Sequence, residues 1–434
     1  MDISSIIKPW RLSQQTPYIF YNANIIDPVE GAVLPNATIT LADGKIRSIT
    51  QTNPDQQALD GILPDNVVDL QGKYVCPGLI DCHVHVAVVP GEADLAAYRD
   101  MTIERSLIRQ PHVLRAMLSR GFTTVRDCGG AGYPMKEAIE EGVLPGPRLF
   151  VAGRALSQTG GHGDMRSQHD TQLCCGGHTS GISRIVDGVP ECLRFAREEL
   201  RQGADFLKIM GGGGVSSPTD RIDQVQFSDE EIRAMVTVAT NAGTYVTSHS
   251  YTPAAIQQAI AAGVRGIEHG NLLDEETARL MARTGTFLTP TLVAHATSKK
   301  MGFHSAESDK KNTEVLDKGI HALKLATDSG VTVCFGSDLL GPMHFAQSQE
   351  FAIRRQVQTP LQLLQSATVN AAKLLMQEGS LGQVKEGFLA DLLVLEGNPL
   401  EDISILERPE SSILAVVKDG RVASSRLPGI VAHL

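Results

Sequence analysis

Between about Cys76 and Gln383 the chain alternates short apolar runs with segments long enough for helices, and this alternation limits the folds open to it. The runs fall at 78–82, 123–126, 148–152, 206–209, 245–247, 266–267, 287–289 and 332–335. Apolar runs spaced in this way predict parallel strands, and this many of them predict an α/β fold whose sheet closes into a (β/α)₈ barrel. The last helix is marked by Thr359 as N-cap and Pro360 in its first turn. Leu361, Leu364, Ala367, Ala371 and Leu374 then share one face.

The two ends of the chain read differently. Residues 18–26 are apolar-rich, 37–49 carry an Asp43-Gly44 turn between alternating runs, and 67–75 turn at Gln71-Gly72. Near the C-terminus, 389–395 is a buried-strand run and 413–423 is a hairpin turning at Asp419-Gly420. An isolated hairpin is marginal in water, so the ends are expected to combine. The expectation is a small β-sandwich domain from 1–75 plus 384–434 beside a barrel domain over 76–383, which 434 residues readily supply.

A formal charge of −10, with no Lys/Arg-rich run, argues against a nucleic-acid or anionic-membrane partner. No stretch is long and apolar enough to span a bilayer. Met1 to Trp10 lacks the charged-then-apolar pattern of a signal peptide. The seven cysteines include no Cys-x-x-Cys pair and read as reduced thiols. A soluble cytoplasmic protein is the expectation.

Polar residues gather where the runs end. His83 and His85 close the first as His-Val-His. Side chains two apart on a strand face one side, with Cα atoms roughly 7 Å apart, so both rings can reach one ion. Lys208 sits inside Asp205-Phe-Leu-Lys-Ile-Met210, while His249, His269 and Asp338 end the fifth, sixth and eighth runs. Histidine and aspartate are natural ligands for Zn²⁺, and barrel enzymes keep their active sites at C-terminal strand ends. A single strand histidine is more often a satisfied core group. The whole set at matching strand ends is hard to obtain from packing.

Lys208 calls for a different argument, because an ammonium is a poor ligand and costly to bury. Carbamylated by CO₂, it becomes an anionic group able to bridge two cations. The alternative is a structural lysine paired with Asp205 or Glu268. Arg126 and Asp127, after the second run, read as an ion pair. The glycines 211–214 lack the ending of a phosphate loop and read as a place of close backbone approach. His169, Cys174, Cys175 and His178 fall in a long loop after the third run, as a lid or as solvated decoration.

Pro77-Gly-Leu-Ile-Asp-Cys-His-Val-His85, Lys208, His249, His269 and Gly336-Ser-Asp338 together resemble the amidohydrolase superfamily in its binuclear, carboxylated-lysine subtype. The resemblance covers nearly the whole chain. Gly387-Phe-Leu-Ala-Asp-Leu-Leu-Val-Leu395 with Asn398-Pro399-Leu400 is similar to the family's returning C-terminal sheet segment. Ser157-Gln-Thr-Gly-Gly-His-Gly-Asp164, Lys208-Ile-Met-Gly-Gly-Gly-Gly-Val-Ser-Ser-Pro-Thr-Asp220, Ser248-His-Ser-Tyr251 and Ile267-Glu-His-Gly270 resemble its branch of aminoacyl-proline dipeptidases (prolidases) and ochratoxinase. Leu339-Leu-Gly-Pro-Met-His344 is more apolar than that branch's pattern.

The resemblance implies two divalent cations per chain, with Zn²⁺ the expected ion. His83, His85 and Asp338 would hold one and His249 and His269 the other, bridged by carboxylated Lys208 (N6-carboxylysine) and a hydroxide. Asp338 would carry the water's proton to the leaving nitrogen. Tyr251 would hydrogen-bond the oxyanion, and His162 would contact the substrate's carboxylate. The implied reaction is cleavage of an amide bond in a small N-acyl amino acid, an aminoacyl-proline or an ochratoxin-like molecule. Opening of a cyclic amide or lactone, as in imidazolonepropionase-like relatives, is a second reading, and a catalytically inert scaffold a third. A homo-oligomer, an octamer in form, is also implied.

Overall fold

The computed structural model describes residues 6–12, 15–51, 66–92, 97, 98, 101–170, 181–428, 430 and 432. Its first strands are β1 (Tyr18–Asp27), β2 (Ala32–Ala42), β3 (Lys45–Thr50), β4 (Val67–Asp69) and β5 (Tyr74–Pro77). The middle of the chain supplies β6 (Leu79–Val84), β7 (Phe122–Asp127), β8 (Arg148–Val151), β9 (Ala155–Ser157), β10 (Ser183–Ile185), β11 (Leu207–Met210), β12 (Val246–Ser250), β13 (Gly266–His269) and β14 (Phe287–Thr289). The C-terminal stretch adds β15 (Leu392–Leu395), β16 (Ile413–Lys418) and β17 (Arg421–Ser425).

Strands from both ends share one eight-stranded sheet, ordered β17-β16-β15-β5-β1-β2-β3, with β4 also on β1. Asp43-Gly44 and Asp419-Gly420 both take positive φ, 51° and 75° in the first and 49° and 70° in the second, the geometry of a tight two-residue hairpin. The turn at Gln71-Gly72 acts differently. β4 and β5 each pair parallel with β1, so this turn shifts the chain along one edge instead of folding a hairpin. β15 runs antiparallel to β5, with Leu393 opposite Cys76 and Val394 opposite Val75. Successive side chains of a strand face opposite sides. Leu392 and Val394 therefore pack with Phe20, Ile39 and Val417 in the sheet's own core, while Leu393 and Leu395 join the barrel core with Phe122 and Phe335.

The barrel strands are parallel: β6-β7-β8 form one run and β10-β9-β11-β12-β13-β14 the other. The run expected at 332–335 makes only an isolated parallel bridge, Val333 to Leu288. It still closes the ring. Cys334 N donates to Leu288 O at 2.8 Å, Cys82 N to Phe335 O at 2.8 Å, and Asp338 N to His83 O at 2.8 Å. Gly336 makes that passage possible, since a Cβ there would lie 2.2 Å from Thr289 Cγ2 and 3.0 Å from His83 Cβ.

The last helix begins as its sequence predicts, with Thr359 and Gln362 forming a capping box, but it is not continuous. It stops at Ser366 and resumes as Val369–Leu374. The Thr368 hydroxyl donates to Leu364 O at 2.6 Å, taking a carbonyl that a continuing helix would give to a backbone N–H. Ala371, Ala372 and Leu374 pack with Cys82, Phe206 and Cys334 in a buried cluster. Cys76, Cys82, Cys128, Cys192 and Cys334 are free and buried, whereas Cys174, Cys175 and His178 lie outside the described residues. Among the described residues no helix is long and apolar enough to cross a membrane.

Since Leu393 belongs to the barrel core although it sits in the terminal sheet, Leu393→Ala should cost about 2–5 kcal/mol of stability. Denaturant melts of the whole chain measure this, and one coincident transition for both parts is expected.

Candidate active site

Strand ends deliver the polar residues to one place. His83 and His85 leave β6 with their rings 5.3 Å apart. Asp338 Oδ1 lies 3.3 Å from His83 Nε2 and 3.2 Å from His85 Nε2, and these residues form a group able to hold a metal ion. His249 and His269 close β12 and β13 with rings 4.4 Å apart, and His269 is 5.1 Å from His83. His269 and Asp338 both take left-handed backbone, φ 76° and 50°, a strained conformation typical of functional sites.

The second nitrogen of each ring is tied. His83 Nδ1 donates to Glu268 at 2.7 Å, His85 Nδ1 donates to Gly129 O at 2.8 Å, and His269 Nδ1 pairs with Thr291 Oγ1 at 2.6 Å. His249 is tied through Nε2, which lies 3.3 Å from Gly213 O, and keeps Nδ1. Such outer hydrogen bonds fix ring orientation and tautomer in metal sites. Burial, reinforced by neighbouring histidines and Lys208, holds His249 well below the ordinary histidine range. Burial does the same to His269, outweighing the nearby Asp338 carboxylate. Both therefore offer the neutral ring that ligates metal.

Arg126 and Asp127 do not pair with each other, because neighbours on a strand face opposite sides. Arg126 turns into the barrel, where Nη2 meets Glu268 at 2.5 Å and Nε donates to Cys82 O at 2.5 Å. Its guanidinium lies 5.0 Å above the Phe206 ring. Asp127 instead accepts the N–H groups of Val86, Gly129 and Ala131 at 2.8, 3.0 and 3.1 Å, shaping the loop that holds His85. Burial pushes the Glu268 carboxyl upward, but Arg126 and His83 outweigh it and leave it well below the carboxylate range. Asp81, also buried, accepts from His83 N at 3.0 Å, Ser337 N at 3.1 Å and Gln347 Nε2 at 2.9 Å, tying β6 to the turn that carries Asp338.

Lys208 is only 2% exposed, yet no hydrogen bond or ion pair joins its side chain to another described residue. The structural pairing considered from the sequence is absent. Asp205 bonds Lys136 at 2.5 Å and Val151 N at 2.8 Å, and Glu268 is taken by Arg126 and His83.

Above these groups opens a cavity of about 220 Å³. His162 enters it stacked on His249, with centroids 4.2 Å apart. The glycines 211–214 provide close approach there, since a Cβ on Gly214 would fall 1.9 Å from His162 Nδ1. Tyr251 packs 5.0 Å from the His269 ring, and its hydroxyl lies 3.5 Å from His295 Nε2. His295 is oriented by Asn312 at 2.8 Å. Burial, with Asp338 and Asp220 nearby, holds the Tyr251 phenol well above its ordinary value, so it stays a hydrogen-bond donor. Arg166, bound by Asp164 at 2.8 and 2.6 Å, also lines the cavity, as do the apolar Val88, Leu340 and Met343. Glu268, Asp81, His295 and Arg166 were not singled out as site residues from the sequence. Glu268 and Asp81 stand one and two residues before a ligand while His295 and Arg166 follow no ligand-bearing strand, and only tertiary contact gives each its role. His169, singled out there, is exposed and outside this cavity's lining.

The profile described as the Amidohydrolase family matches residues 74–423. Ochratoxinase from Aspergillus niger is 32% identical over 430 residues, covering 94% of this chain and 86% of that protein. A prolidase structure in complex with N-methylphosphonate-L-proline is 42% identical and superposes with a TM-score of 0.90, covering 95% of this chain and 100% of that one. A Xaa-Pro dipeptidase structure with methionine bound in its active site is 30% identical, with a TM-score of 0.84 and coverage of 94% and 99%.

Two outcomes follow from this geometry. Arg126→Met strands a buried carboxylate and should cost about 3–5 kcal/mol, with part of the loss recovered in Arg126→Met/Glu268→Gln; thermal melts of both variants measure it. His344 is the second case. Its Nε2 donates to Val88 O at 2.9 Å while Nδ1 is buried without a partner among the described residues, and burial lowers its pKa from 6.5 to about 4. Across that window the unfolded chain binds a proton that the folded one refuses, so stability falls as pH falls. His344→Gln keeps the donor and removes the titration. Its melting temperature should therefore drop less than that of the wild type across the same window.

Proposed function

We propose, from the premise that the chain belongs to the amidohydrolase family and hydrolyses amide bonds, that its substrate is a small N-acyl amino acid or dipeptide with a free carboxylate. Aminoacyl-prolines and ochratoxin-like amides fall in this class, and the relatives named ochratoxinase, prolidase and Xaa-Pro dipeptidase support it. The observation that carries the reading is the cluster of His83, His85, His249, His269 and Asp338 under one cavity, around a buried Lys208 whose side chain forms no ion pair with a described residue.

The donor set fits two divalent cations, Zn²⁺ by the preference of imidazole and carboxylate. His83, His85 and Asp338 would hold one and His249 and His269 the other. A carbamate on Lys208 would supply the missing negative charge and join the two halves. When bound, such ions lower the pKa of water and polarise a carbonyl. The remaining roles belong to side chains. Asp338 would take the attacking water's proton and deliver it to the leaving nitrogen. Tyr251 would donate to the developing oxyanion. Arg166 would receive the substrate's carboxylate with His162 in contact with the same substrate, and Val88, Leu340 and Met343 would cover an apolar acyl group. A cationic Arg166 in the cavity lining favours an open-chain acid over a cyclic amide or lactone. Buried reduced cysteines support a cytoplasmic setting.

Purified protein should contain about two metal ions per chain. Lys208→Ala should lose metal and activity together while remaining folded, read by elemental analysis and kinetics on the same sample. Tested against aminoacyl-prolines, N-acyl aromatic amino acids, ochratoxin A and lactones, the enzyme should prefer the open-chain acids. Fast lactone turnover with none on the amides would reverse the assignment.

A further inference from the structure

Three distant segments meet beside the His162 ring, and the protons between them can be counted. His162 follows β9, Ser217 and Asp220 lie between β11 and the helix Asp229–Asn241, and Lys311 belongs to the helix Ala306–Asp328. The Asp220 side chain is fully buried. One of its oxygens accepts the Ser217 hydroxyl, and the other accepts Gly214 N at 2.9 Å and Gln226 Nε2 at 3.1 Å. A serine hydroxyl has a single proton. That proton is committed to Asp220, so the 2.8 Å contact between His162 Nδ1 and Ser217 Oγ requires the proton on Nδ1.

Lys311 locks this arrangement from the far side. Its Nζ donates to the carbonyls of Gly214, Ser217 and Asp220 at 3.3, 3.1 and 2.6 Å, matching three protons to three acceptors. The ammonium also lies 3.6 Å from Asp220 Oδ1, which offsets the buried carboxylate. Gln226 holds the backbone of the same histidine, accepting His162 N at 2.9 Å. With Nδ1 occupied, Nε2 is the ring nitrogen left for whatever fills the cavity, and it bonds no described residue.

We propose that Ser217, Asp220 and Lys311 are positioning residues that hold His162 in its Nδ1–H form and present Nε2, an acceptor in that form, to a hydrogen-bond donor on the substrate. This rests on the reading that His162 contacts substrate. The loop they organise also carries Val215, which packs with Tyr251, Ile222 and Val315, so one clamp sets the wall on which both substrate-facing side chains rest.

A double-mutant cycle on the metal-loaded enzyme tests the idea, using the N-acyl amino acid or dipeptide that the wild type turns over fastest. Ser217→Ala should lower kcat/KM about tenfold, the effect of one lost hydrogen bond to a functional group, and Ser217→Thr should restore it. In a His162→Ala background the same Ser217→Ala change should cost little more, because its route is already gone. Losses that multiply would overturn the positioning unit alone. A His162→Ala enzyme with wild-type kinetics would remove the substrate-contact reading and the unit with it. NMR of nitrogen-labelled histidine gives a readout independent of turnover. His162 should carry its proton on Nδ1 in the wild type and lose that preference in Ser217→Ala, and an Nε2–H form in the wild type would refute the proposal.

Discussion

Arg126 and Glu268 meet in the middle of the barrel, and neither side chain reaches water. Burying opposite charges this way is expensive, and their attraction offsets the cost only when the remaining polar groups are also met. Here Cys82 O and the Phe206 face receive much of the guanidinium, though Nη1 has no hydrogen-bond partner among the described residues, while Thr247 and His83 complete the carboxylate. The pair joins β7 to β13 and, through His83, to β6. Glu268 stays ionised because of it, and an ionised Glu268 is what aims the His83 ring. The next residue in the chain is His269, whose left-handed backbone turns a second imidazole toward the same centre.

What could be read from the sequence was the part of this arrangement that is local. A histidine pair two residues apart, a histidine closing a strand and a lysine inside an apolar run can all be placed by counting. The choice between a barrel floor and a scatter of core histidines then followed from having several at matching strand ends. Partnerships were harder. Arg126 looked like a mate for Asp127 because they are adjacent, whereas strand geometry sends them to opposite sides and the real partner lies 142 positions away. The break at Thr368 depends on one hydroxyl choosing a carbonyl, which no helical period reveals. His295 and Lys311 gain meaning only from the helices that carry them to the cavity, and nothing in their flanking residues marks them.

The site's two halves differ in how they are supported. The floor is held by strands and by buried ionic and amide hydrogen bonds, and its side chains have little freedom. The walls come from loops and helix ends: the segment after β9, the glycine-rich loop after β11, and the helix that begins at Leu292. A rigid floor with replaceable walls lets one chemistry serve several acyl and amine groups.

β15 lends alternate side chains to two cores, one inside the terminal sheet and one under the barrel. The sheet is thus a shared wall and not an annex. Amide protons along this strand, paired on both edges and packed on both faces, are expected to be among the slowest to exchange. An engineer who excised the terminal strands to obtain a minimal catalyst would strip the lining from the barrel's underside and lose the enzyme as well.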